Sequence, residues 1–116
     1  MKNMEATAVE AAREAGILLK SRFRQSHQVT YKGEIDLVTE ADAMSEEHIV
    51  TRIASSWPDH DILAEERPGR ATGAAFRWII DPLDGTTNYA HGYPVFCVSI
   101  ALEREGRVVL GVIYNP

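Results

Sequence analysis

Apolar residues recur every three or four positions near the start of the chain. Ala8, Ala11, Ala12, Ala15, Leu18, Leu19 and Phe23 fall on one stripe, while Glu5, Glu10, Arg13, Glu14 and Lys20 fall mostly elsewhere. That period predicts an amphipathic helix over residues 3–25 with its stripe in a core. Gly16 either weakens this helix or lets another element approach it closely. Over residues 27–39 the strand formers Val29, Tyr31, Ile35, Leu37 and Val38, with Gly33 as a turn, predict two short strands. Thr39-Glu40-Ala41-Asp42 has the capping-box pattern, which predicts a helix from there to about Ser56, with Val50, Ile53 and Trp57 on one face. Pro58 and Asp59 stop it.

The second half changes period. Asp61-Ile62-Leu63-Ala64 predicts a short strand that ends at Glu65-Glu66. Residues 67–75, rich in Gly, Pro and Ala, predict a mobile loop. Phe76–Ile80 predicts a strand that runs into Asp81-Pro82 and stops there, because Pro82 cannot donate to a ladder. Residues 95–103 and 107–114 alternate and predict a hairpin turning at Glu105-Gly106. Helices first and strands afterwards imply an α+β fold, with helices layered on a mainly antiparallel sheet, and argue against a doubly wound parallel sheet. A sheet that ends at the last residues leaves a long apolar edge, so the layering reads as truncated.

Composition narrows the functional classes. The chain has 116 residues, 45% hydrophobic and 25% charged, which suits one small folded domain. Its net charge of −5 argues against nucleic acid as a partner. An acidic protein still binds phosphates where carboxylates hold cations. Cys97 is the single cysteine, so no internal disulfide forms; within an apolar strand it reads as a small core residue. No run approaches a membrane span and no secretory leader is evident, so the reading is a soluble cytoplasmic protein without a membrane partner. His27, His48, His60 and His91 lack metal-ligand spacing and receive no role.

The candidate chemistry centres on Asp81-Pro82-Leu83-Asp84-Gly85-Thr86-Thr87-Asn88. Two carboxylates three residues apart across a turn can converge, and close carboxylates repel unless protonated or bound to cations. Hard cations such as Mg2+ suit all-oxygen ligands. Gly85 permits close approach of backbone to a ligand, and the amides around Gly85-Thr86-Thr87 can form an anion nest or open a short helix. Each of these residue types also forms ordinary turns. Glu65-Glu66 and Asp42 strengthen the chemical reading, since they too fall at the ends of predicted elements.

Trp78-Ile79-Ile80-Asp81-Pro82-Leu83-Asp84-Gly85-Thr86-Thr87-Asn88 resembles the signature of the inositol monophosphatase family. Leu63-Ala64-Glu65-Glu66 resembles its upstream acidic motif, and Asp36-Leu37-Val38-Thr39-Glu40-Ala41-Asp42 its first motif. The resemblance implies a layered sugar-phosphatase-like fold of which residues 1–116 are the amino-terminal part. It also implies Mg2+ as cofactor, with two or three ions in the complete family site. By the same carry-over Glu65, Asp81, the backbone carbonyl of Leu83 and Asp84 would ligate metal. Gly85, Thr86 and Thr87 would meet the substrate phosphate. Glu65 and Thr86, with Asp42, would activate the attacking water. Asp42 also suits a helix cap, Asp36 reads as a turn residue, and Lys32 matches a basic residue near the first motif.

The expected partner is a small-molecule phosphate monoester, and a homodimer is among the assemblies the resemblance allows. Fructose bisphosphatases, bisphosphate nucleotidases and histidinol-phosphate phosphatases share similar acidic motifs, so they stand as alternatives. The family's downstream Trp-Asp aspartate and much of its hydroxyl recognition are not in this sequence. Hence the chain reads as a fragment, a truncated frame or a degraded relative, and a noncatalytic metal- or partner-binding remnant is the competing class.

Overall fold

The structure, a computed structural model, describes residues 2–26, 31–65 and 69–116; the side chains of residues 2, 24–26 and 31–39 lie outside the description. In chain order come α1 (Lys2–Ser26), α2 (Tyr31–Ser56), β1 (Asp61–Ala64), β2 (Phe76–Asp84), α3 (Thr86–Ala90), β3 (Cys97–Arg104) and β4 (Arg107–Tyr114). The strands form one sheet in the order β1-β2-β3-β4. β1 runs parallel to β2, and the other neighbours are antiparallel. This is the layered α+β arrangement that the pattern implied, with an open sheet.

α1 buries its small stripe: Ala8, Ala11, Ala12, Ala15 and Leu19 are fully covered. Small side chains let α2 and the sheet come close. Gly16 marks the tightest approach, since a Cβ there would stand 2.5 Å from the Tyr114 ring. α2 presents Ala41, Asp42, Ser45, Glu46, Ile49 and Ile53 to the interior at helical spacing. Trp78, Ile80, Val98, Ile100 and Leu102 supply the sheet's half of the core. The opposite face stays open, with Leu63, Val109 and Ile113 exposed.

Three local expectations are corrected. Residues 31–39 are not strands: α2 already begins at Tyr31, so Thr39-Glu40-Ala41-Asp42 lies inside a helix and does not cap one. Ile35 and Val38 precede Asp42 by seven and four positions, so the helical period reaches back through them, and the strand propensity of single residues yields to it. Residues 27–30 and the side chains of Lys32 and Asp36 fall outside the described residues.

β2 does not stop at Pro82. The ladder pairs Asp81 with Ser99 and Asp84 with Cys97, so β2 spends one more residue than β3 over this stretch. That is a bulge, and a bulge is where a strand tolerates a residue without an N–H.

The described part of the 67–75 loop is pinned. Arg70 N and Ile62 N each donate to the other residue's carbonyl, at 2.8 and 2.9 Å. The Asp61 carboxylate accepts from Thr72 N, Thr72 Oγ1, Gly73 N and Ala74 N at 2.6–3.0 Å. These bonds, the Thr72 hydroxyl first, hold Asp61 down at a pKa of about 2.

The hairpin turns at Glu105-Gly106 as expected. Both residues have positive φ, 51° and 83°, the backbone of a two-residue type I′ turn.

Candidate functional site

The carboxyl ends of β1 and β2 carry the acids singled out by sequence. Ala64 pairs with Ile80 in parallel register, so Glu65 and Asp81 are the next residues on two neighbouring strands. Such strands lie about 4.8 Å apart. Glu65 is exposed at this rim and Asp81 is half-buried. Trp78, Ile80 and Pro82 are buried among the helix-facing residues, whereas Asp81 alternates to the other side of the strand. Asp81 Oδ1 is shielded from solvent and accepts no hydrogen bond from the described residues. An ionised oxygen left in that state is unfavourable by desolvation, so the position calls for a cationic or donor group.

The bulge then turns the chain. Leu83 is buried, which leaves its backbone carbonyl as the only atom it could offer a ligand. Asp84 is exposed and accepts a long hydrogen bond, 3.8 Å, from the Cys97 thiol. Cys97 was read as a core residue, yet it is half-buried and borders the acids. Burial first, then the charge and hydrogen bond of Asp84 and the charge of Asp81, push its pKa up. The thiol therefore stays protonated and serves as a donor. Asp84, Gly85, Asn88, Val95, Phe96, Cys97, Ile113 and Asn115 line a depression of about 420 Å³.

Gly85 is placed by backbone need. Its φ is 96°, and a Cβ would meet Val95 O at 3.1 Å and Phe96 Cα at 3.3 Å. The short helix α3 starts at the next residue, with Thr86 and Thr87 exposed on its first turn. Asn88 Nδ2 donates to Val95 O at 2.9 Å and closes the loop after the helix. Tyr89 anchors the unit from below: its hydroxyl donates to Leu19 O at 2.7 Å, and its ring packs on Phe23 and Phe96. Burial pushes the Tyr89 hydroxyl far above its usual pKa, so it remains a donor.

Asp42 belongs to the helical layer. It is buried on α2, three residues before Ser45. The Ser45 hydroxyl donates to Pro82 O at 2.8 Å, within the bulge between Asp81 and Asp84. Asp81, Asp84 and Gly85 thus follow one another at the end of β2, Glu65 follows β1 in the β1–β2 register, and Asp42 lies on α2 one turn before the serine that bonds Pro82. Among the described residues, however, no three His, Cys, Asp or Glu side chains close into a metal-holding group. Glu66 lies outside the described residues.

Sequence reasoning missed two residues that shape this end of the molecule, and a third, Asp61, at the opposite end of β1. Ser45 and Cys97 act across elements, so no local spacing reveals them. Asp61 caps a loop eleven to thirteen residues away, and only the Gly-rich run after it hints at the need.

Helices on one face of an open, mainly antiparallel sheet, with acids and a glycine-threonine turn at its strand ends, define a layered α+β protein of the sugar-phosphatase type. The chain belongs to the inositol monophosphatase family, which it matches over residues 1–116. It is 49% identical over 112 residues to an inositol-1-monophosphatase of Mesorhizobium japonicum, covering 93% of this chain and 42% of that protein. Against inositol monophosphatase 2 of Solanum lycopersicum it is 41% identical over 121 residues, covering 100% of this chain and 46% of that one. The solved inositol monophosphatase from Anabaena superposes with a TM-score of 0.84 at 41% identity, over 99% of this chain and 40% of its own. The chain therefore spans less than half the length of these relatives.

Proposed function

We propose that residues 1–116 form the amino-terminal, metal-binding part of a cytoplasmic Mg2+-dependent phosphatase acting on phosphate monoesters of inositol or similar sugars. The observation that carries this reading is the Asp81 carboxylate. It has a buried oxygen without a hydrogen-bond donor among the described residues, follows the β1–β2 register next to Glu65, and precedes Asp84-Gly85 across a bulge. All-oxygen donors and a desolvated carboxylate suit a hard divalent cation. The names of the relatives support the substrate class.

In this reading Glu65, Asp81, the Leu83 carbonyl and Asp84 hold Mg2+. When bound, the cation supplies Lewis-acid stabilisation of the phosphoryl and leaving oxygens. Gly85, Thr86 and Thr87 receive the phosphate: the first has no side chain to obstruct it, and the other two expose hydroxyls and amides at the start of α3. The Thr86 hydroxyl and Glu65 orient the attacking water, and the carboxylates of Asp42 and Glu65 are the groups that can take its proton. Because the described acids do not close into a group of three, residues 1–116 alone are expected to bind metal weakly and turn over slowly.

The test is a chimera in which residues 1–116 replace the matching segment of the Mesorhizobium relative. It should release phosphate from an inositol monophosphate only with Mg2+, and Asp81→Asn should lower the rate by roughly a hundredfold or more. Metal-independent release, or full activity with Asp81→Asn, contradicts the assignment.

A further inference from the structure

Ser45 is fully buried on α2, and its Oγ donates a 2.8 Å hydrogen bond to Pro82 O. Pro82 is itself buried and belongs to the stretch where β2 carries its extra residue. Having no N–H, Pro82 cannot donate to the sheet ladder. The bulge therefore draws a fixing contact from outside the sheet, and Ser45 supplies it. The carbonyl that receives the bond lies between Asp81 and Asp84, so its orientation sets how those two carboxylates are presented. Ser45 also stands three residues after Asp42 on the same buried stripe of α2. This one hydrogen bond ties the bulge to the stripe of α2 that also carries Asp42.

We propose that Ser45 is a positioning residue for metal binding, whose bond to Pro82 fixes the bulge that carries Asp81 and Asp84 against α2. This inference rests on the metal reading above. Supporting hydrogen bonds behind metal ligands typically govern metal affinity by about 10- to 100-fold. Ser45→Ala deletes this donor to the buried Pro82 carbonyl and frees the bulge to relax.

The experiment measures Mn2+ affinity of the 116-residue chain by titration calorimetry and, in parallel, metal-free melting, for wild type, Ser45→Ala, Ser45→Thr and Asp81→Asn. Ser45→Ala should weaken Mn2+ by about tenfold. Ser45→Thr, which retains the hydroxyl, should recover most of that loss. A lowered metal-free melting temperature with wild-type Mn2+ affinity in Ser45→Ala overturns the inference and leaves a purely structural serine. If Ser45→Ala does not fold, Ser45→Cys replaces it: its weaker donor should give a partial loss, and undiminished affinity overturns the inference. Asp81→Asn separates the two levels. Loss of binding there with none in the Ser45 variants removes only the positioning role. Equal Mn2+ binding by wild type and Asp81→Asn removes the metal reading and this inference with it.

Discussion

The Tyr89 hydroxyl donates to the Leu19 carbonyl at 2.7 Å, joining α3 to α1 across seventy residues of sequence. Both groups are buried, and the Tyr89 ring also packs between Phe23 and Phe96. The helix that opens at Thr86 is therefore held from the core side. Tyr89→Phe keeps the ring and removes the donor. It should cost about 1 kcal/mol, the usual net worth of such a bond. Urea unfolding checks this; unchanged stability would show that the hydroxyl contributes nothing.

Trp78 and His60 form a second cross-element bond. Trp78 Nε1 donates to His60 Nδ1 at 3.0 Å, and the imidazole stacks between Trp57 and Phe76. That bond needs an unprotonated Nδ1, and burial holds His60 below its ordinary pKa of 6.5. The unfolded chain therefore takes up this proton at higher pH than the folded one. The group's contribution to stability is complete above about pH 6.5 and is lost as pH falls through the lowered folded value. Unfolding free energy should decline from about pH 7 to pH 5, and His60→Phe should flatten that slope. Identical profiles for the two proteins would refute the assignment.

Gly16 tests the contact between α1 and the last strand. In an isolated helix, Gly→Ala gains about 1 kcal/mol. Here the added methyl would meet Tyr114 Cε2 and Cδ2 at 2.5 and 2.8 Å and Pro116 Cβ at 3.2 Å. Gly16→Ala should instead destabilise by about 1–2 kcal/mol, as overpacking does. Pairing it with Tyr114→Ala should remove most of that penalty in a double-mutant cycle. A stabilising Gly16→Ala would mean that β4 does not press on this helix.

Much of this architecture was legible in the chain. The Ala8–Leu19 stripe has one dominant period, and the alternation around Val98 and Ile100 has another, so α1 and the hairpin could be read directly. The resemblance carried by residues 78–88 located the strand-end acids. What escaped reading depends on contacts between distant segments. Val29, Tyr31 and Gly33 looked like a hairpin, yet α2 starts at Tyr31, because a helix that buries Ala41, Ile49 and Ile53 against other layers outweighs the propensity of a few residues. Pro82 looked like a strand end, yet a bulge carries β2 through it, braced by a serine 37 positions away. Which acids approach one another, and how closely, is decided by such braces and not by spacing along the sequence.

Asp61 provides the clearest case. Its carboxylate accepts four hydrogen bonds from Thr72, Gly73 and Ala74, and its pKa falls to about 2 from 3.8. A depressed folded pKa means that the stabilisation is present above pH 3.8 and is lost as pH falls toward 2. Asp61→Ala should abolish that acid dependence. It should also speed amide exchange at Thr72, Gly73 and Ala74 by about tenfold at neutral pH, since those donors lose their acceptor. Unchanged exchange there would show that the backbone bonds at Arg70 and Ala75 hold the loop without the Asp61 carboxylate.

The account stands or falls on whether a divalent ion settles at the Asp81 end of the sheet. Titrating 15N-labelled protein with Mn2+ and following amide signals reads this directly. We expect selective broadening at Glu65, Asp81 and Asp84–Thr86, removed by Asp81→Asn and competed away by Mg2+. Broadening spread over the acidic surface, or centred elsewhere and indifferent to Asp81→Asn, would contradict it.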